Sequence, residues 1–563
     1  MKRGGAALVL GTLILAAACR ERPGSGAAPG PSPVVPTPAA VPTPQLGFLD
    51  ESRQGTPVDG GVLRRRLTGE PTTLNGVLQS SLPEAQVLQY VQRNLFDFDA
   101  GLTLVPGLAE GMEISADGLM FTIALRADAI WEDGKPVSAR DAVFTIRKIV
   151  DPKVPAQVFK PLFEEMVSVE ALDERRFAVR FSKPYAYRPM AFVLPLLPAH
   201  RFEGQKFLKA RDNRAPLSDG PYRFVSWKTQ QTIELARNEK YAGPRAHFDR
   251  ILFRVVPDNT TAYRMLLDDT LDEDELDAGL KQRAASDPAF SACCRLVEFY
   301  NLDYNYIVLN NRSPLFSDAR VRRAMTMLLD RAAIVRGLYR GSARIISGPW
   351  APDSPAYDAR VEPLPFDPAA AARLLDEAGW KAPSAAAGRE KDGKRFEFDL
   401  LVSEGSEVGR QIDEMFSAEL SRVGVTARVR TLEWAAFVEK VDAGAFEAAS
   451  LAWSAVDPNP DPYFYWHSSQ CAPNGINDGC YASPEADRLI TEARQEMDPA
   501  RRLEKLHGLH RYLRDEAPAV FVVNAARKYA FRKRVRGLST SPLGLFGIWP
   551  GPLGWWAAPE ATP

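Results

Sequence analysis

The sequence has few of the residues that build metal and catalytic centres. Only five of its 563 residues are histidine and only five are cysteine. Neither G-x-S-x-G nor H-E-x-x-H, the motifs of serine hydrolases and zinc proteases, occurs in it. His507 and His510 are spaced to share a helix face, but a solvated helix face explains them without a metal. We therefore expect no enzyme activity, no metal site and no cofactor.

The sequence also lacks an excess of one charge. It has 70 lysines and arginines against 71 acidic residues, a formal net charge of −1. A protein dedicated to nucleic acid needs a strong basic excess, so no nucleic-acid partner is expected. An acidic run from Asp268 to Asp277 has no glycine at the middle position that an EF-hand requires. This run is predicted to cover the end of a helix.

After the N-terminus the sequence has no apolar run long enough to cross a bilayer. Residues 1–18 have a basic start at Lys2 and Arg3, a short apolar stretch, and small residues before Cys19. This pattern resembles a bacterial lipoprotein signal, in which the cysteine is acylated and becomes the new N-terminus. The alternative is an ordinary secretory peptide with an incidental cysteine. We predict a signal peptide over 1–18 and lipidation of Cys19.

Residues 19–58 are rich in proline, alanine, glycine and serine. Such a segment cannot bury enough apolar surface to fold, and proline holds it extended. We expect it to be a tether between a membrane surface and a folded body.

The body that follows alternates short strands with helices, which is typical of α/β lobes. Asp117-Gly118 is a hairpin signal between two alternating segments, and Ser138 with Asp141 forms a variant of the capping box. The predicted elements are a strand over 61–67, helices over 84–95, 138–150 and 407–422, hairpins around 108–126 and 166–181, and strands over 396–401 and 425–432.

Several local patterns, in one order along the chain, resemble the family 5 extracellular solute-binding proteins, the oligopeptide, dipeptide and nickel-binding class. The segments that carry the resemblance are VPGLAEG (105–111), DGLMFTIALR (117–126), WEDGKPVSARDAVF (131–144), DGPYRF (219–224), RNEKY (237–241), NNRSPLFSDARVRRAMTMLLD (310–330) and the stretch from Arg501 to Pro518. They cover residues from about 60 to 555. One such motif would be weak, whereas the ordered series is specific.

The resemblance implies a two-lobed α/β periplasmic-binding-protein-like fold with an extra third domain and a ligand cleft between the lobes. It implies an N-terminal lobe over 59–305 that includes the extra domain (about 85–205), a C-terminal lobe over 306–520, and a return segment over 521–563. The expected function is capture of a small solute, with short peptides favoured, for delivery to the permease of an ABC importer. We expect a monomer outside the cytoplasm, in the periplasm or at the cell surface, lipid-anchored to a bacterial membrane.

The resemblance also indicates candidate ligand-binding residues. In peptide-binding relatives a loop similar to "W-x-x-D" places an aspartate against the α-ammonium of the ligand. Here Asp457 follows Trp453 by four residues instead of three, so Asp457 or Asp461 is the candidate carboxylate. Trp453 would supply an apolar wall beside it. The alternative for Asp457 is a turn-forming role before Pro458.

Three further residues are predicted to contact ligand. Glu70 and Thr72 lie at the end of the first strand, where relatives hydrogen-bond the ligand backbone. Tyr306 lies on a segment, 304–310, that the resemblance makes a strand crossing between lobes. A surface turn and an ordinary internal strand are the respective alternatives.

An exported protein is found where disulfides persist. Cys471 and Cys480 flank a loop whose Asn-Gly and Asp-Gly steps can bring its ends together, and relatives have a similar local bridge here. We predict a disulfide between them. The adjacent Cys293 and Cys294 form either a vicinal disulfide or two thiols.

Two alternatives to peptide transport remain open at this point. A binding protein of the same family could carry a metal chelate or an oligosaccharide instead of a peptide. A ligand-sensing lipoprotein could use the same fold without coupling to a transporter.

Overall fold

The computed structural model describes residues 48–382, 387–454, 458, 461–472 and 475–558. The chain divides into two units. We call residues 48–299 with 527–558 the outer unit and the described residues of Tyr300–Ala526 the inner unit, because along the sequence the second lies between the two parts of the first. The lobe and extra-domain limits given above stay predictions. In the described part of the chain, no helix combines the length and apolar character needed to span a bilayer.

The first part of the outer unit contains twelve strands and six α-helices in its described residues. The strands are β1 (Val62–Leu67), β2 (Phe96–Phe98), β3 (Leu104–Pro106), β4 (Ala109–Ile114), β5 (Met120–Leu125), β6 (Met166–Ala171), β7 (Arg176–Phe181), β8 (Tyr222–Lys228), β9 (Thr232–Arg237), β10 (Arg250–Val255), β11 (Glu273–Glu275) and β12 (Cys294–Phe299). The helices are α1 (Leu82–Val91), α2 (Ala139–Val150), α3 (Ala199–Phe202), α4 (Asn259–Leu267), α5 (Ala278–Ser286) and α6 (Pro288–Cys293).

The inner unit contains eight strands and eight helices in its described residues. The strands are β13 (Tyr304–Leu309), β14 (Ala343–Ile345), β15 (Glu390–Lys391), β16 (Lys394–Arg395), β17 (Glu397–Ser403), β18 (Thr426–Leu432), β19 (Ala448–Trp453) and β20 (Ala519–Ala525). The helices are α7 (Ala319–Met327), α8 (Arg331–Gly337), α9 (Pro368–Glu377), α10 (Glu407–Arg422), α11 (Trp434–Asp442), α12 (Tyr463–Trp466), α13 (Pro484–Gln495) and α14 (Pro499–Glu516). The chain then returns to the outer unit through β21 (Arg527–Arg532), β22 (Val535–Arg536) and β23 (Trp556–Ala557).

Three larger sheets form the outer unit, with strand orders β1-β10-β9-β8, β4-β5-β7-β6 and β11-β21-β12. Both predicted hairpins are confirmed, because β4 pairs antiparallel with β5 and β6 with β7. Gly118 takes φ +68° in the first turn, a conformation that glycine adopts without a Cβ clash. A core of buried apolar residues between Val77 and Leu217 covers the β4–β7 sheet.

The two predicted helices of the outer unit are present, one with shifted limits. α2 begins after Ser138, whose side chain forms the predicted capping box with Asp141. The helix predicted over 84–95 spans 82–91 instead. Ser81 is its N-cap and forms a capping box with Glu84, which is therefore the third helical residue and not the first.

The acidic run after α4 neutralises arginines of β1. Arg65 is fully buried, and its Nε lies 2.9 Å from Glu273 Oε1 and its Nη1 2.9 Å from the Tyr90 hydroxyl. Arg66 Nη1 lies 2.8 Å from Asp274 Oδ1. Burial raises the pKa of Asp274 to about 7, although the arginine opposes this. Within the same run, the carboxylate of Asp277 caps α5, as the sequence predicted for a helix end.

The inner unit is built on one six-stranded sheet of order β14-β20-β13-β19-β17-β18. β17 and β18 run parallel and α10 connects them, so the predicted strand–helix–strand unit over 396–432 is confirmed. β13 lies between β19 and β20 and pairs antiparallel with both. Its alternate residues therefore face opposite sides of the sheet.

Candidate functional site

One face of the inner sheet carries the predicted residues Tyr306 and Trp453. Tyr304 pairs with Trp453 and Tyr306 with Leu451 across β13 and β19, so these side chains point to the same side. The rings of Tyr304 and Tyr306 lie 5.7 Å apart. This face presents a continuous aromatic surface at the end of β19.

Trp453 ends its strand against a second aromatic residue. Its ring centroid lies 4.3 Å from that of Tyr465 in an edge-to-face arrangement. Both rings are partly exposed at the edge of an apolar cluster that Trp466 and Tyr481 help to build. Trp453 is therefore part of an apolar surface of the inner unit, and its contact with ligand stays a prediction.

Of the two candidate carboxylates that follow Trp453, Asp461 already has hydrogen-bond partners within the protein. It is 6% exposed, its Oδ2 accepts from Arg494 Nε at 2.8 Å, and its Oδ1 accepts from the Tyr463 amide at 3.0 Å. Arg494 in turn stacks on the Tyr463 ring at 3.9 Å. The Asp461 carboxylate thus holds the start of α12 and is bound to α13 through Arg494. Asp457 lies outside the described residues, and its role stays a prediction.

The predicted disulfide between Cys471 and Cys480 is present. The second part of the loop it closes lies across the end of β13, where the Asn311 amide donates to the Gly479 carbonyl at 2.8 Å. A Cβ on Gly479 would stand 2.8 Å from the Leu309 carbonyl oxygen, so only glycine permits this approach. The bridge and the glycine together fix the position of the neighbouring Asp478.

Asp478 has an unusual electrostatic setting. Burial, with a contribution from Asp442, raises the pKa of its carboxyl to about 7. The pKa of the Tyr306 phenol is raised as well, by burial first and then by the charge of Asp478. Within the described part of the chain, Asp478 has no hydrogen-bond or ion-pair partner. It is a half-buried carboxyl near the Tyr306 phenol, and among the described residues it lacks a cation.

Sequence reasoning did not single out Asp478, because Asn477-Asp478-Gly479 has the composition of an ordinary turn. The available signal was its position inside the short loop between Cys471 and Cys480, next to Gly479.

The remaining predicted contacts, Glu70 and Thr72, follow β1 in the outer unit. Glu70 Oε1 accepts from Trp227 Nε1 at 2.7 Å, and its Oε2 accepts from the Gln230 amide at 2.9 Å. The Thr72 amide and hydroxyl both donate to Glu84 Oε1, at 3.0 and 2.6 Å. Both side chains therefore have protein partners, and their contact with ligand stays a prediction.

The two histidines on α14 have separate structural roles. The His507 ring lies 3.0 Å from the Pro355 carbonyl, and His510 Nδ1 accepts from the Asp358 amide at 2.9 Å. Burial lowers the pKa of His510 to about 4, so this ring is neutral at pH 7. Among the described residues, no group of three or more histidine, cysteine or acidic side chains is placed to hold a metal ion.

Comparison with known proteins decides the family. The family model for bacterial extracellular solute-binding proteins, family 5 Middle, matches residues 103–475, about two thirds of the chain. The chain belongs to family 5 of the bacterial extracellular solute-binding proteins. The resemblance inferred from the motifs is thus confirmed, and this family 5 protein is a solute-binding protein.

Its relatives differ in what their names say they bind. The oligopeptide-binding protein AppA of Bacillus subtilis is 26% identical over 498 residues, which cover 87% of this chain and 90% of AppA. Heme-binding protein A of Haemophilus influenzae is 27% identical over 483 residues, with coverage of 81% and 85%.

Solved structures confirm the fold class. AppA from B. subtilis in complex with a nonapeptide matches with a TM-score of 0.74 at 26% identity and covers 90% of this family 5 protein and 100% of AppA. NikZ from Campylobacter jejuni in complex with Ni(L-His) matches with a TM-score of 0.74 at 25% identity, with coverage of 88% and 99%. The α/β periplasmic-binding-protein-like fold predicted from the sequence is correct.

Proposed function

We propose that this protein captures short peptides through their α-ammonium group and delivers them to the permease of an ABC importer. The observation that carries the proposal is the carboxyl of Asp478, which is half-buried, has no partner among the described residues, and lies near the Tyr306 phenol on the aromatic face. The peptide named in the AppA structure, a protein that covers most of this chain, supports the choice of ligand class.

The chemistry of this arrangement suits an ammonium group. A carboxylate removed from water gains more from a bound cation than a surface carboxylate does, provided that hydrogen bonds complete the pair. A ring face next to it adds attraction for the same cation. We therefore assign Asp478 to the ammonium site, together with the predicted Asp457, and Trp453 and Tyr306 to its walls.

Glu70 and Thr72 have an indirect role in the proposed ligand binding. Their side chains already have protein partners, so we infer that they hold the segment after β1 in place and that its backbone groups face the peptide. Backbone pairing suits a carrier of many peptides, because it is independent of sequence.

The test is calorimetric titration of the mature protein with tri-alanine and with N-acetyl-tri-alanine, which lacks the ammonium group. We expect tri-alanine to bind at least tenfold more tightly, a difference of about 1.4 kcal/mol. Asp457→Ala and Asp478→Asn should each remove most of this preference.

Asp413→Asn is the matched control for the titration. Asp413 has a pKa raised to about 7 by burial, like Asp478, but it hydrogen-bonds Ser450, which points to the other face of the sheet. If acetylation leaves the affinity unchanged, the ammonium assignment is wrong. If haem or a nickel chelate binds and no peptide does, the peptide assignment is wrong, although the family assignment still holds.

We also propose that acylation of Cys19 anchors a monomer outside the cytoplasm, with residues 19–58 as the tether. Cys19→Ala should move the protein from the detergent phase to the aqueous phase in a detergent partition experiment. Retention of the variant in the detergent phase would contradict lipidation at this cysteine.

A further inference from the structure

The outer unit contains a cavity of about 220 Å³ whose lining does not include Glu70 or Thr72. Its lining includes Arg93, Arg126, Asp128, Asp219, Tyr241 and Trp549. At roughly 30 Å³ per water molecule, the volume equals that of about seven waters. A ligand of up to about ten non-hydrogen atoms fits into it.

Asp219 is the unsatisfied group in this lining. It is 3% exposed, and its Oδ1 accepts from the Arg93 amide at 3.1 Å. Its Oδ2 is buried and has no hydrogen-bond partner among the described residues. Buried carboxylate oxygens are normally hydrogen-bonded. An unpaired oxygen on a residue that lines a cavity indicates that a hydrogen-bond donor belongs beside it.

The two arginines of the lining already form ion pairs with acidic residues. Arg93 Nη2 lies 2.8 Å from Asp97 Oδ2, and its guanidinium group stacks on the Trp549 ring at 3.4 Å. Arg126 forms two hydrogen bonds with Asp128, at 2.9 and 2.6 Å. Each arginine therefore has its own acid, and Asp219 is the acid in the lining without a matching cation.

An apolar and aromatic surface lies around this acid. The Tyr241 ring lines the cavity, and its hydroxyl has no hydrogen-bond partner within the described residues. A Cβ on Gly243 would stand 2.2 Å from that hydroxyl, so the glycine allows the ring its position. Leu108, Ala129 and Ile130 add apolar wall.

Protonation of Asp219 follows from the groups around it. Burial raises the pKa of its carboxyl to about 8 against the opposing effects of the Arg93 amide and charge, while Asp141 adds to the increase. Asp97, Arg126 and Asp128 form the ion pairs described above, and Tyr241 completes the titratable groups nearby. At pH 7 the empty site therefore holds a neutral acid, which a bound cation would ionise.

We propose that this cavity binds a small organic cation with N–H donors, an alkylammonium or amidinium, through the Asp219 carboxylate, with Tyr241 and Trp549 beside its carbon skeleton. The site is separate from the peptide site of the inner unit and does not depend on it. A single positive charge balances the single unpaired acid. A cation without N–H groups would leave Oδ2 without its donor.

The experiment is titration calorimetry of the full mature protein with butylammonium, and with tetramethylammonium as the probe that lacks N–H donors. We expect butylammonium to bind at least tenfold more tightly, and its affinity to rise between pH 6 and pH 8.5 as Asp219 ionises. Below pH 8, binding should release close to one proton, measured in two buffers with different ionisation enthalpies.

The variants Asp219→Asn and Asp219→Thr should each lower the affinity for butylammonium at least tenfold. Asparagine has nearly the shape of aspartate, so the Asp219→Asn variant should fold. Asp413→Asn, which removes a buried acid of raised pKa from the inner unit, should leave the affinity unchanged.

The results that overturn the proposal are distinct. Unchanged butylammonium affinity in a folded Asp219 variant would overturn the proposal. The absence of proton release on binding to the unmodified protein would also overturn it, and that measurement does not depend on a variant folding. Loss of amine binding in Asp478→Asn but not in Asp219→Asn would place the amine in the peptide site instead.

Discussion

The buried acids of β11 in the outer unit and the acids Asp413 and Asp478 of the inner unit differ in their partners. Glu273 and Asp274 each face an arginine of β1 at hydrogen-bonding distance. Asp478 and Asp413 have no cation among the described residues, and Asp413 has only the Ser450 hydroxyl as a donor. Burial by itself therefore says little about function. The presence or absence of a matching partner separates a structural acid from one that is available to a ligand.

The largest effect should come from removing one half of a satisfied pair. Glu273→Ala leaves the Arg65 guanidinium buried without its carboxylate, and such a loss costs about 3–5 kcal/mol. Urea unfolding followed by circular dichroism measures it.

Glu275→Ala is the matched control for Glu273, since it lies on the same strand. Glu275 pairs with Arg527 where both side chains are more than a third exposed, so its loss should cost less than about 1 kcal/mol. Equal destabilisation by the two variants would mean that the burial of Arg65 is not what makes its pair important.

A second, smaller effect concerns the loop that carries Asp478. Replacing Cys471 and Cys480 together by alanine opens a short loop, which should lower the free energy of unfolding by roughly 2–3 kcal/mol in the chain-entropy picture. It should also weaken peptide binding, because Asp478 loses its fixed position.

The structure contains a second disulfide, between the adjacent Cys293 and Cys294, which resolves the alternative that the sequence left open. It closes almost no loop, so the double alanine variant there should change stability much less. If the Cys471–Cys480 variant keeps full peptide affinity, the bridge does not position Asp478.

A good part of the fold followed from local sequence. The limits of α10, the capping box of α2 and both hairpins depend on periodicity and turn residues that act over a few positions. The ordered motifs identified the family, and through it the fold. The Cys471–Cys480 bridge followed from loop length together with that resemblance.

The site residues were harder to predict, because their properties arise from contacts distant in sequence. The Oδ1 of Asp219 accepts from the amide of Arg93, 126 residues away, and the Oδ2 of Asp461 accepts from an arginine in α13, 33 residues away. Arg64, Arg65 and Arg66 fall in the predicted first strand, but the acids that neutralise Arg65 and Arg66 lie 208 residues further along the chain. No local pattern encodes such partners.

The third prediction concerns the pH dependence of stability that the buried acid Asp413, which has no cation as a partner among the described residues, should produce. Burial, with a contribution from Glu414, raises the pKa of Asp413 to about 7, above its unfolded value of 3.8. A raised folded pKa means that its stabilising effect is complete below about pH 4 and is lost as the pH rises through 7. Relative to Asp413→Asn, the unmodified protein should lose about 2 kcal/mol between pH 5 and pH 8, measured by urea unfolding at each pH. Parallel pH profiles of the two proteins would show that Asp413 does not titrate in this range.

The smallest expected effect is at Asp141, a buried acid satisfied by hydrogen-bond donors and not by an arginine. Its Oδ2 accepts from the Ser138 amide at 2.8 Å and from the Ser138 hydroxyl at 3.0 Å, and its Oδ1 accepts from the Ala199 amide at 2.8 Å. Ser138→Ala removes only the hydroxyl, and the loss of an N-cap of this kind costs about 1 kcal/mol. Thermal unfolding should detect a small decrease in melting temperature. A loss as large as that of Glu273→Ala would mean that the amide donors cannot hold the Asp141 charge without the serine hydroxyl, so that donors of this kind are not equivalent to an arginine.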